Sequence, residues 1–242
     1  MLLTRVLAAL LALALVPGAA RAQESVRTAD GVFEYTTSST GVVIAAPHGT
    51  YDINTPQIAM SAAAQLRAGY IVFRATAPGL RINVNRPTEG AGRACTNEPL
   101  TDRARSAYET YVRLVLAAAG TARLPLYVEI HGNAEPRTAQ VIEVAAKGVA
   151  AGDARAVKEA YPPLLASIRS RAPSFPALDL RIEPIDQILF TAGCAKTLGI
   201  FSTEMIQRAL HFELPRAARQ EPILDMTATL ISSLLRALPG FR

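Results

Sequence analysis

Val42-Val43-Ile44-Ala45-Ala46 is a short apolar, β-branched run, and Pro47-His48-Gly49-Thr50-Tyr51-Asp52 follows it directly. A run with no polar alternation fits a strand buried on both faces. Thr55-Pro56 then opens a helix, with Thr55 as N-cap and Pro56 at its first position. That helix carries Ile58, Met60 and Leu66 and is expected to stop at Gly69. Tyr70 to Ala75 reads as the next strand.

The same alternation continues outward from this unit. Thr101 caps a long helix through Tyr108, Tyr111 and Val115, closed by Gly120. Leu124 to Ile130 is a strand, Gln140 to Ala145 a further candidate and Leu210 to Leu214 a late one. Asp153 to Ala172 is helical, with an interruption expected at Pro162-Pro163. Pro222 to Leu238 is a final amphipathic helix. Strands and helices in alternation predict an α/β fold, a sheet covered by helices on both faces. Leu80 to Leu100, rich in Pro, Gly and polar residues, reads as a long loop, and such loops in compact domains are often functional.

Composition agrees with an ordinary folded domain. Of 242 residues, 50% are hydrophobic and 19% charged, which excludes a disordered chain. With 2 Cys and 15 Gly, it is neither a disulfide-dense miniprotein nor a collagen. Residues 1–22 read as a secretory signal peptide: Arg5, an apolar run from Val6 to Val16, a Pro17-Gly18 turn, and cleavage after Ala20-Arg21-Ala22. A retained anchor is the alternative, although the run is short for a membrane span. Residues 23–242 form a single expected domain, soluble, and periplasmic or secreted. Removing Arg5 and Arg21 leaves 23 basic against 20 acidic residues, and a surplus of three with no basic run gives no argument for nucleic acid. In an oxidising compartment Cys95 and Cys194 are expected to pair, two free thiols being the alternative.

All three histidines stand in informative places. His48 follows the first strand, with Asp52 four residues on, and ligands of α/β sheets bind beyond the carboxyl ends of strands. Gly49 would let the chain turn so that nitrogen and carboxylate converge on one metal. The alternative is a turn histidine with Asp52 as a cap. In Val128-Glu129-Ile130-His131-Gly132-Asn133, alternation puts Glu129 and His131 on one strand face. Glu129 would be a supporting partner of His131, unless His131 is a satisfied core histidine. In Leu210-His211-Phe212-Glu213-Leu214, His211 and Glu213 share a face. A carboxylate in an apolar strand is costly unless paired or functional. Near a metal, Glu213 is a natural general base, the alternative being an ion pair with Arg216 or Arg219. Arg81, Asn83 and Asn85 share a face if their segment is extended. Asn85 and Arg86 can hold a substrate carboxylate, or else form a network that stabilises the loop. No nucleophile elbow, Walker loop, dinucleotide fingerprint or His-Glu-x-x-His helix is present.

Pro-His-Gly-Thr-Tyr-Asp, Ile-Asn-Val-Asn-Arg-Pro, Val-Glu-Ile-His-Gly-Asn and His-Phe-Glu-Leu-Pro, in that order from His48 to Arg216, resemble the N-formylglutamate amidohydrolase family, related in fold to the zinc carboxypeptidases. The resemblance implies a central mixed, mostly parallel sheet and one zinc ion. His48 and His131 match the zinc histidines, Glu213 looks like the general base, and Asn85-Arg86 look like the carboxylate-holding pair. The carboxypeptidase pattern has a Glu three residues after the first His. Here that position is Tyr51, so Asp52 is taken as the third ligand. Gly132 follows the second His, where these families usually have Ser.

The resulting expectation is an exported zinc-dependent amidohydrolase or carboxypeptidase-like hydrolase. Two histidines and a carboxylate leave one zinc position open, as in catalytic rather than structural sites. Glu213 would act as base, and Arg81 would stabilise the oxyanion. Asn85 and Arg86 would fix the free carboxylate of an N-acyl amino acid, short peptide or peptidoglycan stem peptide. Two alternatives stay open. One is a non-catalytic exported protein that binds metal or carboxylate on the same scaffold, and the other is an esterase.

Overall fold

The computed structural model describes residues 22–77, 81–90 and 95–241, apart from the Cys95 side chain. The signal peptide expectation falls outside the described residues except for Ala22. The Cys95–Cys194 pairing rests on a side chain that is likewise outside them. Among the described residues no helix is long and apolar enough to cross a membrane.

Two N-terminal strands, β1 (Glu24–Arg27) and β2 (Gly31–Thr36), precede β3 (Val43–Ala46), α1 (Thr55–Leu66) and β4 (Gly69–Ala75). A small hairpin, β5 (Ile82–Asn83) with β6 (Thr88–Glu89), stands inside the stretch read as a loop. Then come α2 (Asp102–Ala119), β7 (Tyr127–Gly132), β8 (Val141–Lys147), α3 (Ala151–Arg171) and β9 (Asp179–Ile182). The short α4 (Gly193–Thr197), β10 (Ala209–Leu214) and α5 (Leu224–Ala237) complete the chain.

Eight strands form one sheet in the order β1-β2-β4-β3-β7-β10-β8-β9. β4, β3, β7 and β10 run parallel, as do β8 and β9, while β1–β2, β2–β4 and β8–β10 are antiparallel. This is the mixed, mostly parallel sheet expected. Side-chain alternation divides its two faces. Ile44, Val128, Ile130, Leu210, Phe212 and Leu214 pack under α1, α3 and α5. Val43, Ala45, Ile71, Tyr127 and Ala209 pack under α2 and the turn Ile200–Ser202. Each Val, Leu, Ile or Phe among them contributes about 1.5–3 kcal/mol when removed from water, so the sheet register is strongly fixed. Consequently Glu129, His131, His211 and Glu213 must all project to the α2 face.

Several local expectations are corrected. Asn54, at φ 70°, precedes α1; Thr55 is its first residue, and its hydroxyl donates to the Asp52 carbonyl at 2.7 Å. The helix ends at Leu66 through Arg67 in the left-handed region (φ 54°), not at Gly69, which begins β4. α3 runs unbroken through Pro162 and Pro163. Both prolines are on its exposed side, where water can take the carbonyls they free, while Tyr161, Val157 and Ile168 keep the other side packed. Leu124 forms an isolated bridge with Ile206, and β7 proper starts at Tyr127. Thr101 caps α2 as expected, accepting from Ala104 N at 3.0 Å.

Candidate active site

The carboxyl ends of β3, β7 and β10 lie side by side, and each carries part of the site. Beyond β3 the chain turns back on itself: Tyr51 N and Asp52 N both donate to the His48 carbonyl, at 2.9 and 2.8 Å. The Asp52 carboxylate is thereby brought against the His48 ring. Gly49 serves this turn through close packing. A Cβ there would stand 2.6 Å from Pro56 Cγ and 2.8 Å from the Phe73 carbonyl.

His131 closes the group from β7. Its Nδ1 is 3.1 Å from His48 Nδ1 and 3.3 Å from Asp52 Oδ2, and His48 Nδ1 is 3.6 Å from the same oxygen. Zinc bonds of about 2.0–2.2 Å in a tetrahedron place ligand atoms roughly 3.3–3.6 Å apart, so this donor set suits such an ion. The chemistry of the contact agrees. Two ring nitrogens facing each other cannot both carry protons, and a cation between them and the carboxylate would use all three lone pairs. Without a cation, burial lowers the His131 pKa, but the hydrogen bonds to Asp52 and Glu129 outweigh it and raise the value to about 9. His48 goes the other way, well below the usual range, through burial and the nearby Arg81 charge.

Glu129 is fully buried and is the hub behind this group. Its Oε2 lies 3.0 Å from His131 Nε2 and 3.1 Å from His211 Nδ1. Tyr127 Oη donates to Oε1 at 3.0 Å, and Asn85 Nδ2 reaches both oxygens at 3.2 and 3.1 Å. Tyr111 Oη backs Tyr127 Oη at 2.5 Å. Burial and the Glu129 charge push both tyrosines well above their ordinary pKa, so they stay protonated. Burial alone would raise the Glu129 pKa, but the hydrogen bonds with His131 and His211 hold it well below the carboxylate range. Glu129, His131 and His211 also have metal-ligand spacing. The amide and phenol that donate into Glu129 mark it instead as a hydrogen-bonded carboxylate that orients His131.

Glu213 lies opposite His131 in the β7–β10 register. Its Oε1 meets His211 Nε2 at 3.1 Å, while Oε2 is buried without a partner. His48, Asp52, His131, Glu213, Arg81 and Arg86 line one cavity of about 360 Å³. Arg81 lies over the Tyr51 ring at 5.0 Å, and its buried Nε has no partner. Arg86 forks onto Glu98 (Nε–Oε2 2.8 Å, Nη2–Oε1 2.7 Å), and Thr88 Oγ1 donates to the same carboxylate at 2.6 Å. The structure therefore brings every expected ligand, base and cation to one cavity. It also engages the Asn85 amide with Glu129 and the Arg86 fork with Glu98.

Three contributors went unread in the sequence. Glu98 sat in the supposed loop with no local signal. Glu143, fully buried on β8, accepts from Leu189 N and Phe190 N at 3.0–3.1 Å and so fixes the loop walling the cavity. An acid within Val-Ile-Glu-Val-Ala-Ala is the same signal that singled out Glu213. Arg219 is the third in the role it takes here: named only as an alternative ion-pair partner of Glu213, it acts instead on three backbone carbonyls. Its guanidinium donates to the carbonyls of Leu214 (3.1 Å), Asn133 (3.1 Å) and Ile53 (2.7 Å), tying together the segments that follow Glu213, His131 and Asp52. A Cβ on Gly132 would stand 2.3 Å from Arg219 Cζ, so glycine at 132 leaves room for the clasp. Gly132→Ala is expected to dislodge it. Hydrogen bonds from a charged donor contribute about 1.5–3 kcal/mol each, and partial replacement by water should leave a net loss of about 2 kcal/mol. Urea denaturation measures this, and an unchanged midpoint would mean that Arg219 moves aside at no cost.

The chain matches no family model and no curated protein by sequence. It does match solved structures. A provisionally named carboxypeptidase A from Shewanella denitrificans superposes with TM-score 0.51 at 12% identity, over 90% of this chain and 64% of that one. A bacteriophage poly-gamma-glutamate hydrolase gives TM-score 0.48 at 10% identity, over 88% and 91%. An N-formylglutamate amidohydrolase from Ralstonia eutropha gives 0.47 at 13% identity, over 87% and 97%. The superposition on the carboxypeptidase A structure puts the fold in the carboxypeptidase-like α/β class, as the resemblance of the sequence motifs implied.

Proposed function

We propose that this protein is an exported, zinc-dependent hydrolase that cleaves an amide bond in a substrate bearing a free carboxylate. One observation carries the reading. Three buried ligand atoms converge in the cavity that also receives Glu213, whose Oε2 is buried with no partner. The hydrolase names of the structural neighbours support the same class of chemistry. Export rests on the signal-like residues 1–22, and the Cys95–Cys194 bridge is proposed with it.

When bound by His48, Asp52 and His131, zinc supplies a Lewis acid and lowers the pKa of a water molecule. Glu213 takes a proton from the attacking water and returns it to the leaving nitrogen. Arg81 faces the charge that develops on the carbonyl oxygen. The guanidinium N–H groups of Arg86 that Glu98 leaves free receive the substrate carboxylate, with Glu98 setting the orientation of the fork, whereas the Asn85 amide, expected to share this task, is taken up by Glu129.

The test begins with metal content. The mature protein is expected to hold about one zinc, the open-site stoichiometry, and the His48→Ala/His131→Ala double variant none. Turnover is then screened on N-acyl amino acids and short peptides, with matched esters beside them. Zinc-free wild-type protein after supplementation would break the reading. The engagement of Asn85 and Arg86 by internal carboxylates favours one other reading, a metal- or carboxylate-binding protein without catalysis. Tight metal with no hydrolysis of any substrate would select it.

A further inference from the structure

His211 is a buried polar side chain for which the reaction above has no use. It precedes Glu213 by two residues on β10 and points to the same face. Its ring stacks on that of His131, with centroids 4.0 Å apart and planes 21° from parallel. Nδ1 meets Glu129 Oε2 and Nε2 meets Glu213 Oε1, each at 3.1 Å. The imidazole therefore spans two carboxylates of unequal freedom. Glu129 is fixed by Tyr127 and Asn85 as well. Glu213 has one oxygen on His211, and its other oxygen has no partner.

A glutamate has three side-chain torsions, and holding it still costs rotamer entropy. Burial among apolar neighbours restricts where the carboxylate can go but does not aim it. A hydrogen bond on one oxygen aims the other. We propose that His211 is a positioning residue. Anchored to Glu129 and braced against the His131 ring, it holds Glu213 by Oε1 and so sets the place of Oε2, the oxygen left without a partner. The proposal rests on the reading of Glu213 as general base. It also links the base mechanically to a metal ligand, since His131 and His211 share the Glu129 oxygen. Any shift of Glu129 would move both.

Two substitutions separate the ends of this bridge. The terminal amide nitrogen of Gln falls near the place of imidazole Nε2, and that of Asn near Nδ1. His211→Gln therefore keeps a donor for Glu213, whereas His211→Asn keeps one for Glu129. A base displaced by about 1 Å loses roughly 100-fold in rate, so kcat is expected to fall by about that factor in His211→Asn and to recover most of it in His211→Gln. KM and zinc content should match wild type in both. A purely structural role through Glu129 gives the reverse order, with Asn near wild type and Gln impaired, and that result overturns the proposal.

Crystal structures of the two variants provide a readout independent of turnover. Glu213 should occupy its wild-type rotamer in His211→Gln and leave it in His211→Asn. An unmoved Glu213 in His211→Asn overturns the proposal, whatever the kinetics. Loss of folding in both variants, seen by thermal melting, would make His211 a structural element and overturn it as well. If the wild-type protein turns over no substrate, the hydrolase reading fails, while the rotamers of Glu213 still decide whether His211 positions it.

Discussion

Glu213→Gln is expected to keep its zinc and to lose turnover by about three orders of magnitude, within the range of about 10²–10⁴ that general base catalysis contributes. The substitution changes little else. Glutamine has the shape of glutamate, so β10 keeps its packing through Leu210, Phe212 and Leu214. Its amide oxygen can still meet His211 Nε2, where Oε1 now lies at 3.1 Å. The candidate metal group of His48, Asp52 and His131 does not include residue 213. Glutamine at this position cannot accept a proton from water at neutral pH, and that is the function tested. Elemental analysis and kcat on the same preparation measure both halves of the expectation. If turnover stays above a tenth of wild type, another group is the base. If zinc is lost with activity, Glu213 belongs to the metal site itself.

Much of this site was legible because strands alternate. Val-Glu-Ile-His and Leu-His-Phe-Glu-Leu each separate polar from apolar residues with period two. The core on the α1–α5 side fixes which set is buried where, and the polar set then has one place to go. The pairing of Glu213 with His131 follows from two such strands becoming parallel neighbours. What could not be read is whatever depends on the neighbour. β1, β2 and β9 carry weak local signals, and their strand form depends on pairing with an adjacent strand. Asn85 and Arg86 were recognisable as a carboxylate-binding pair, but the carboxylates they meet here are Glu129 and Glu98, 44 and 12 residues away. Gly132 looked like a departure from a family pattern. Its reason, the Arg219 guanidinium above it, is a contact between the end of β7 and the turn that follows β10, which no local spacing encodes.

Glu129→Leu is expected to cost about 3–5 kcal/mol of unfolding free energy, the range for removing one partner from a buried charged network. Leucine fits the space but accepts nothing. Tyr127 Oη, Asn85 Nδ2, His131 Nε2 and His211 Nδ1 would each lose the Glu129 acceptor, and all four residues are buried. Each unmet donor carries its own desolvation cost of about 1–3 kcal/mol, and relaxation recovers only part of the total. The effect on the metal should be separable from the effect on the fold. His131 would keep Nδ1 at the site while losing the carboxylate that orients its ring, and such losses weaken metal affinity by about 10–100-fold. Urea denaturation of metal-free protein reads the first term, and zinc titration in a competing chelator reads the second. A variant with wild-type stability would mean that water enters to satisfy the four donors, which the packing of Tyr127 against Tyr111 of α2 opposes. A destabilised variant with unchanged zinc affinity would show that the His131 ring is aimed by its stacking on His211 rather than by Glu129. The two measurements thus assign the orientation of the proposed metal ligand His131 to a hydrogen bond or to a ring contact.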